Sequence, residues 1–408
     1  MSAPRVSVVI VSRGRPHELS LCLTALRQLT YSDFEVVVVA DGKSAVSVAR
    51  YSGKVKLVAF EPPNISAARN AGIAQAAGEI VAFIDDDAVP EPTWLDYLVE
   101  PFEDGRVAVS GGFVRGKNGI SYQWKARRAY PDGRAVPFDL ETSKPTVFDP
   151  IPGETVKTEG TNMAVRKSVL VELGGFDAAF SFFLDETDLN MRISKAGYRT
   201  ALAPLAQVVH GMAPSERRTS DRIPRDLRQI GSSLAIFQRK HEAHVMPVGV
   251  RREQRNRVVR CMRDGRMMPG DVLRLMRGFD AGYAEGQDRK LDQLAEFEAA
   301  PPFVQFRSTP PPSKVRTITA RFWQERDARE EARASVEAGA ITTLYLWSFS
   351  TLWHRLTFDK AGYWIQRGGQ FGRSDRSDRI FKFWKASDRT RREAERWAPV
   401  RDPKKPQD

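Results

Sequence analysis

Four short runs of aliphatic and β-branched residues, at positions 6–11, 34–40, 55–60 and 80–84, constrain this chain more than any other feature. Most are apolar at successive positions rather than alternate ones, so a sheet built from them has both faces covered. Helical patterns separate them. Residues 16–29 carry Leu19, Leu23, Leu26 and Leu29 at helical spacing, and residues 64–77 form an Ala-rich segment with Asn64 as N-cap and Gly78 just beyond its end. The order reads βαβαβαβ, a parallel sheet between helices, and such sheets place ligand sites at the carboxyl ends of their strands. Residues 12–15, Asp41 with Gly42, and residues 85–87 follow strands one, two and four, so ionisable groups gather where a ligand should sit.

A length of 408 residues predicts two domains, or one large domain with an appendage. Hydrophobic residues at 41% and charged residues at 28% exclude wholesale disorder. The net charge of +12 is uneven: residues 1–214 hold 23 basic and 25 acidic side chains, so the basic excess belongs to the second half and favours an anionic partner there. Only Cys22 and Cys261 are present, which excludes a disulfide framework and a thiolate metal cluster and suits a reducing cytosol. The longest weakly polar stretch, residues 341–353, is too short to span a membrane, and the first residues enter a strand with no apolar signal core. A cytoplasmic protein, not exported, is expected.

Further along, residues 107–114 read as a strand, 117–154 as loop with short elements, 160–165 as extended, and 166–173 and 187–196 as helical. Ile223, Leu227, Ile230, Leu234 and Phe237 form a helical stripe, residues 251–263 a basic helix, 309–312 a Pro-rich linker, and 316–338 a charged helix. Residues 341–384 interleave Trp, Phe and Tyr with Arg and Lys.

Three consecutive carboxylates, Asp85, Asp86 and Asp87, cannot all stay ionised without a neutralising cation or strong donors. Hard oxygen ligands suit Mg2+ or Mn2+; an acidic turn ahead of the helix near Pro92 is the plainer alternative. A second acidic group, Asp185, Glu186 and Asp188, follows the apolar residues 182–184. Acidic residues in a first helical turn are ordinary dipole complements, but an apolar wall beside them raises a carboxyl pKa and equips it as a general base. His210 ends another apolar segment and is either a core histidine or a metal ligand.

Taken in order, VSVVIVSRGRP, VVVVADG, ISAARNAGIAQAAGEIVAFIDDD, GTNMAVRKSVLVELGGFD and LDETDLNMRISKAGYRTALAPLAQVVHG resemble the bacterial family 2 glycosyltransferases over residues 5–240. The resemblance implies an α/β fold of the GT-A type, a Rossmann-like nucleotide-diphospho-sugar transferase domain at 1–240, followed by a basic, aromatic-rich, mainly helical region at 241–408. It implies inverting transfer of a sugar from a nucleotide-diphosphate donor to the hydroxyl of a glycan or lipid-linked acceptor, assisted by a divalent metal, in cell-envelope or exopolysaccharide synthesis. By position in the motifs, Val11, Ser12 and Arg13 hold the nucleoside, Asp41 accepts from the base, and Arg69 reaches the nucleotide. Asp86 sits near the ribose, Asp85 positions the strand end, and Asp87 ligates the metal with His210. Asn162 helps shape the sugar pocket, and Glu186 is the catalytic base with Asp185 as its substitute. Two departures stand out: Ala40 precedes Asp41 where many relatives double the carboxylate, and Asp185–Glu186 reverses the usual order of the acidic pair.

Other activities fit less well. The first βα turn has neither the GxGxxG of a dinucleotide-binding dehydrogenase nor the Gly-rich phosphate cradle a nucleotidyltransferase would want. A non-catalytic scaffold that binds a nucleotide sugar is the alternative outside enzymes. For the second half, the stripe and Trp347, Trp353, Trp364 and Trp384 suit a peripheral membrane contact, a glycan platform, a partner interface or an ordinary small core. No nucleic-acid fingerprint is present, and no nucleic-acid partner is expected.

Overall fold

The computed structural model describes residues 3–402 except residues 212, 214–218, 220–222, 242–247, 308–311 and 313. All four leading runs are strands: β1 (Val6–Ser12), β2 (Phe34–Ala40), β3 (Lys56–Ala59) and β4 (Ile80–Asp85), connected through α1 (Pro16–Leu26), α2 (Gly42–Ala45) and α3 (Ile65–Gln75). They lie in the order β3-β2-β1-β4, all parallel. Successive side chains of β1 serve opposite cores. Val6, Val8 and Ile10 pack with Leu19 and Leu23 of α1, whereas Val9 packs with Ile73 of α3. Each such side chain contributes about 1.5–3 kcal/mol when fully buried, and the two-sided demand explains why the runs are continuous.

Next come β5 (Ala88–Pro90), α4 (Trp94–Val99) and β6 (Val107–Arg115). Four short strands, β7 (Tyr122–Trp124), β8 (Arg127–Ala129), β9 (Ala135–Pro137) and β10 (Thr146–Phe148), occupy the stretch expected to be loop with short elements, and β11 (Thr155–Val156) follows directly. Then follow β12 (Met163–Arg166), α5 (Lys167–Glu172), α6 (Asp185–Lys195) and β13 (Arg199–His210). The ten-stranded sheet is mixed rather than wholly parallel, because β12 runs antiparallel to both β4 and β6. The chain turns between Glu159 and Asn162 and then runs back, and the Met163–Phe83 register sets residues 160–162 beside the carboxyl end of β4. That one reversal delivers a loop to the ligand edge.

Helices α7 (Arg228–Lys240), α8 (Val248–Arg263) and α9 (Pro269–Asp288) share a core of Leu234, Phe237, Val258, Leu275 and Phe279 with Phe180 and Leu184. Ile223 precedes α7 rather than belonging to it. The α7–α9 crossing is unusually close: a Cβ on Gly282 would lie 1.9 Å from the Arg228 carbonyl oxygen, and one on Gly286 2.4 Å from that of Ser232. Packing is therefore continuous across residue 240. Residues 289–307 then strap the amino-terminal edge of the sheet, where Phe306 lies against Phe34 and Tyr51 and Arg307 donates to the carbonyl oxygens of Leu29 and Tyr31.

The last unit comprises β14 (Lys314–Arg321), α10 (Glu325–Glu337), β15 (Ala340–Ser348), β16 (Arg355–Phe358), β17 (Trp364–Gly369) and α11 (Ala386–Arg401). Helix predominates after residue 240, as expected, but a four-stranded sheet of order β14-β15-β17-β16 was not foreseen. Residues 316–321 are strand and not helix, because the β-branched run alternates, with Ile318 and Ala320 buried between exposed Thr317 and Thr319. α10 covers one face and α11 the other, and the α11 side merges with the first unit through Ala25, Val89 and Val209. Trp347 and Trp364 are core residues of this unit. Of the expected linker at 309–312, only Pro312 falls within the described residues. Both cysteines are buried free thiols, and no helix among the described residues is long and apolar enough to cross a membrane.

Candidate active site

Asp85 ends β4, so the triplet stands at the carboxyl edge of the sheet, and His210 ends β13 opposite Ala88 of β5. This pairing brings one histidine to two carboxylates. The His210 Nε2 lies 3.1 Å from Asp87 Oδ1 and 3.8 Å from Asp85 Oδ2, and the three donors fall within 4.8 Å of one another. Gln123 Oε1 stands 3.3 Å from His210 Nδ1; a proton on Nδ1 would leave the Nε2 lone pair facing the carboxylates. Asp87 and His210 are buried, whereas Asp85 is 32% exposed, which leaves an open side for a further ligand. Two hard carboxylates, an oriented imidazole and an open side fit a divalent cation shared with a phosphate.

The three aspartates are not equivalent. Burial pushes the Asp86 carboxyl above its usual range even though Arg15 donates to it at 3.0 Å and the Ser12 hydroxyl at 2.8 Å. For Asp87, burial is outweighed by His210, Arg15 and the Ala213 N–H at 2.6 Å, and the carboxyl is held well below its usual range. Asp87 is thus the carboxylate of the triplet held most firmly in its charged form. Arg15, which sequence reasoning passed over in favour of exposed Arg13, is the arginine nearest the triplet among the described residues.

The second acidic group opens α6. Phe183 (φ 73°) and Leu184 (φ 65°) both adopt the left-handed region, a conformation that costs about 1–3 kcal/mol per non-glycine residue and is kept where surrounding packing enforces it. The turn aims Asp185 and Glu186 back at the sheet edge. Asp185 is ion-paired with Arg69, whose other Nη lies 3.6 Å from Asp85 and donates to the Gly160 carbonyl at 3.2 Å. One guanidinium therefore bridges both carboxyl clusters. A Cβ at Gly160 would stand 2.5 Å from Arg69 Nη2, so a side chain there would displace it.

Burial raises the Asp185 carboxyl despite Arg69, as the apolar lead-in predicts. Glu186 goes the other way. Burial would raise it too, but the Lys157 ammonium pairs with it directly and holds it below the ordinary range. Lys157 also donates to the Thr187 hydroxyl at 2.9 Å. No local motif marks Lys157.

Two expected contacts read differently in the fold. Asn162 does not face the cleft: it is fully buried, donating to the carbonyl oxygens of Phe113 and Ala206 and accepting from the Trp94 indole at 2.7 Å. Its role is to tie α4 to β6 and β13, which corrects the sugar-pocket expectation. Asp41 caps α2 and accepts from the Gly14 N–H with both oxygens, at 3.0 and 3.1 Å, so its carboxylate shapes the first turn. Glu61 accepts from the neighbouring Gly42 N–H and supplies a second carboxylate near the position where Ala40 lacks one. Val11 is part-buried in β1 and Ser12 is spent on Asp86.

Residues 7–174 match the family described as Glycosyl transferase family 2. Over that stretch the chain is similar to the family 2 glycosyltransferases. Its parallel half, joined through antiparallel β12, is an α/β arrangement, as the resemblance implied. The probable glycosyltransferase YdaM of Bacillus subtilis is 29% identical over 229 residues, 50% of either chain. The glucosyl-dolichyl phosphate glucuronosyltransferase of Haloferax volcanii is 30% identical over 183 residues, 42% of this chain and 56% of that one. The chain thus spans about half the length of these relatives. Among solved structures, the mannosyltransferase PcManGT of Pyrobaculum calidifontis in complex with GDP-Man and Mn2+ aligns with a TM-score of 0.40 at 18% identity, over 70% of this chain and 74% of that one.

Proposed function

We propose that the protein transfers a glycosyl group, with inversion, from a nucleoside-diphosphate sugar to the hydroxyl of a glycan or lipid-linked acceptor in the assembly of a cell-envelope polysaccharide. The observation that supports this reading is the Arg69 bridge between Asp85 and Asp185, one guanidinium within reach of both carboxyl clusters. The β1 turn at Val11, Ser12 and Arg13, with Asp41, lines the nucleoside side. A divalent cation held by Asp85, Asp87 and His210, Mg2+ or Mn2+, would supply positive charge against the leaving diphosphate.

Glu186, kept ionised by Lys157, accepts the proton of the acceptor hydroxyl as that oxygen bonds to the anomeric carbon. The bond to the donor phosphate breaks on the opposite face, and its electron pair leaves with the diphosphate. Arg69 orients Asp185 and faces the developing charge. A second reading has a specific support: the raised Asp185 carboxyl is the more basic of the two, which favours Asp185 as the proton acceptor.

The test is a panel of nucleotide sugars with Mn2+, read by thermal shift and by nucleoside diphosphate release; a ligand at 100 times its Kd stabilises by about 2.7 kcal/mol. Asp87→Ala should lose both donor binding and turnover, and Glu186→Gln turnover alone, by about 100- to 10,000-fold. Turnover lost in Asp185→Asn but kept in Glu186→Gln reassigns the base. Unchanged transfer in both Asp87→Ala and Glu186→Gln refutes the site. Pyrophosphate as product would mean a nucleotidyltransferase, and donor affinity without turnover on any acceptor a binding scaffold.

A further inference from the structure

Of the tryptophans singled out in the sequence, Trp347 and Trp364 are core, whereas Trp353 stands in solvent with other large apolar side chains. Phe322, Trp323, Phe349, Trp353, Phe381 and Phe383 are each 54–75% exposed. They belong to three loops that follow β14, β15 and β17, and because those strands are parallel, the loops share one edge of the C-terminal sheet. Phe371 joins two of the loops, with its ring centroid 5.3 Å from Phe383, 5.7 Å from Phe381 and 5.9 Å from Phe349. Arg321 joins the third loop by lying 4.4 Å over Phe349. The sheet's own cores, built on Trp347, Trp364 and Tyr363, are complete without these tips.

Cations alternate with the apolar tips. Arg321 precedes Phe322, exposed Arg379 precedes Ile380, and exposed Lys382 stands between Phe381 and Phe383. Residues 370–385 hold five basic side chains against two acidic ones, Asp375 and Asp378. Both of those acids are engaged, by Arg396 and Arg392 of α11. The edge therefore presents positive charge around apolar ends.

Phe and Ile carry no polar tip, so they offer a sugar hydroxyl nothing to bond. Beside cations they match the boundary between lipid headgroups and acyl chains, where apolar ends enter and Lys and Arg reach anionic headgroups. We propose that this edge docks the protein on a bilayer surface bearing anionic lipids.

The full chain should co-sediment with phosphatidylcholine vesicles containing phosphatidylglycerol, and at least about tenfold less with phosphatidylcholine alone, with binding weakened by salt. Phe381→Ser/Phe383→Ser and Arg379→Glu/Lys382→Glu should each reduce vesicle binding about tenfold or more while leaving the thermal midpoint unchanged. Absence of wild-type binding to anionic vesicles, equal binding to both vesicle types, or binding retained in both variants overturns the proposal. So does self-association, or retention on an immobilised glycan, that the same variants abolish in a protein that does not bind vesicles.

Discussion

Replacing Arg401 tests whether the C-terminal unit is structurally part of the catalytic domain. Its guanidinium forms a bidentate pair with Glu91 at 2.7 and 2.8 Å, donates to Thr343 at 3.0 Å, and lies over the rings of Trp364 and Trp397. The side chains are 2% and 0% exposed. Arg401→Met keeps most of the volume but leaves the Glu91 carboxylate buried without its counter-charge, which costs about 3–5 kcal/mol. At an unfolding entropy of about 2.1 cal/mol/K per residue, the midpoint should fall by roughly 4–6 °C if the described chain unfolds as one unit. Urea unfolding followed by tryptophan fluorescence measures the free-energy cost, and thermal unfolding the midpoint. Glu91→Met should cost a similar amount, and the double variant should lose at least about 1 kcal/mol less than the sum of the singles, since no lone charge is then buried. A single variant within about 1 kcal/mol of the parent, or strictly additive costs, refutes the reasoning. Glu91 follows β5, which pairs with His210, so Arg401→Met should also weaken Mn2+ binding in calorimetry.

Other consequences are separable from this one. Lys157→Met removes the charge that holds Glu186 ionised, so burial raises that carboxyl and the acid limb of the kcat/KM profile should move to higher pH; an unmoved limb would show that Glu186 is not the titrating base. Gly160→Ala should displace Arg69 and lower kcat on the order of 100-fold; unchanged kcat would remove Arg69 from the mechanism. Burial, reinforced by Arg389, depresses His354 from 6.5 to about 4. Below pH 6.5 the unfolded chain takes up a proton that the folded chain refuses, so stability is complete above that pH and falls toward pH 4, by up to about 3 kcal/mol. His354→Gln should flatten that part of the stability–pH curve, and an unaltered slope would assign it to other groups.

Much of the catalytic sheet was legible in the chain because β-branched runs, Leu spacing and an Asn64 cap act over a few residues. The acidic triplet and the pair at 185–186 were legible for the same reason, since each follows an apolar run that fixes which edge it meets. Strand β14 was missed because Val315, Thr317, Ile318 and Thr319 sit among arginines that favour a helical reading. Asn162 was misread because its three hydrogen-bond partners, on β6, β13 and α4, are 44 to 68 residues away.

The amino-acid sequence by itself determined the strands, their two-sided burial and the carboxylates that end them, because periodicity and side-chain shape are local properties. Only the tertiary structure decided which carboxylate stays charged. Lys157 meets Glu186 across 29 residues, Arg69 meets Asp185 across 116, and Arg401 meets Glu91 across 310. In a low-dielectric interior the state of a carboxyl depends on through-space distance to a cation, and spacing along the chain does not encode that distance.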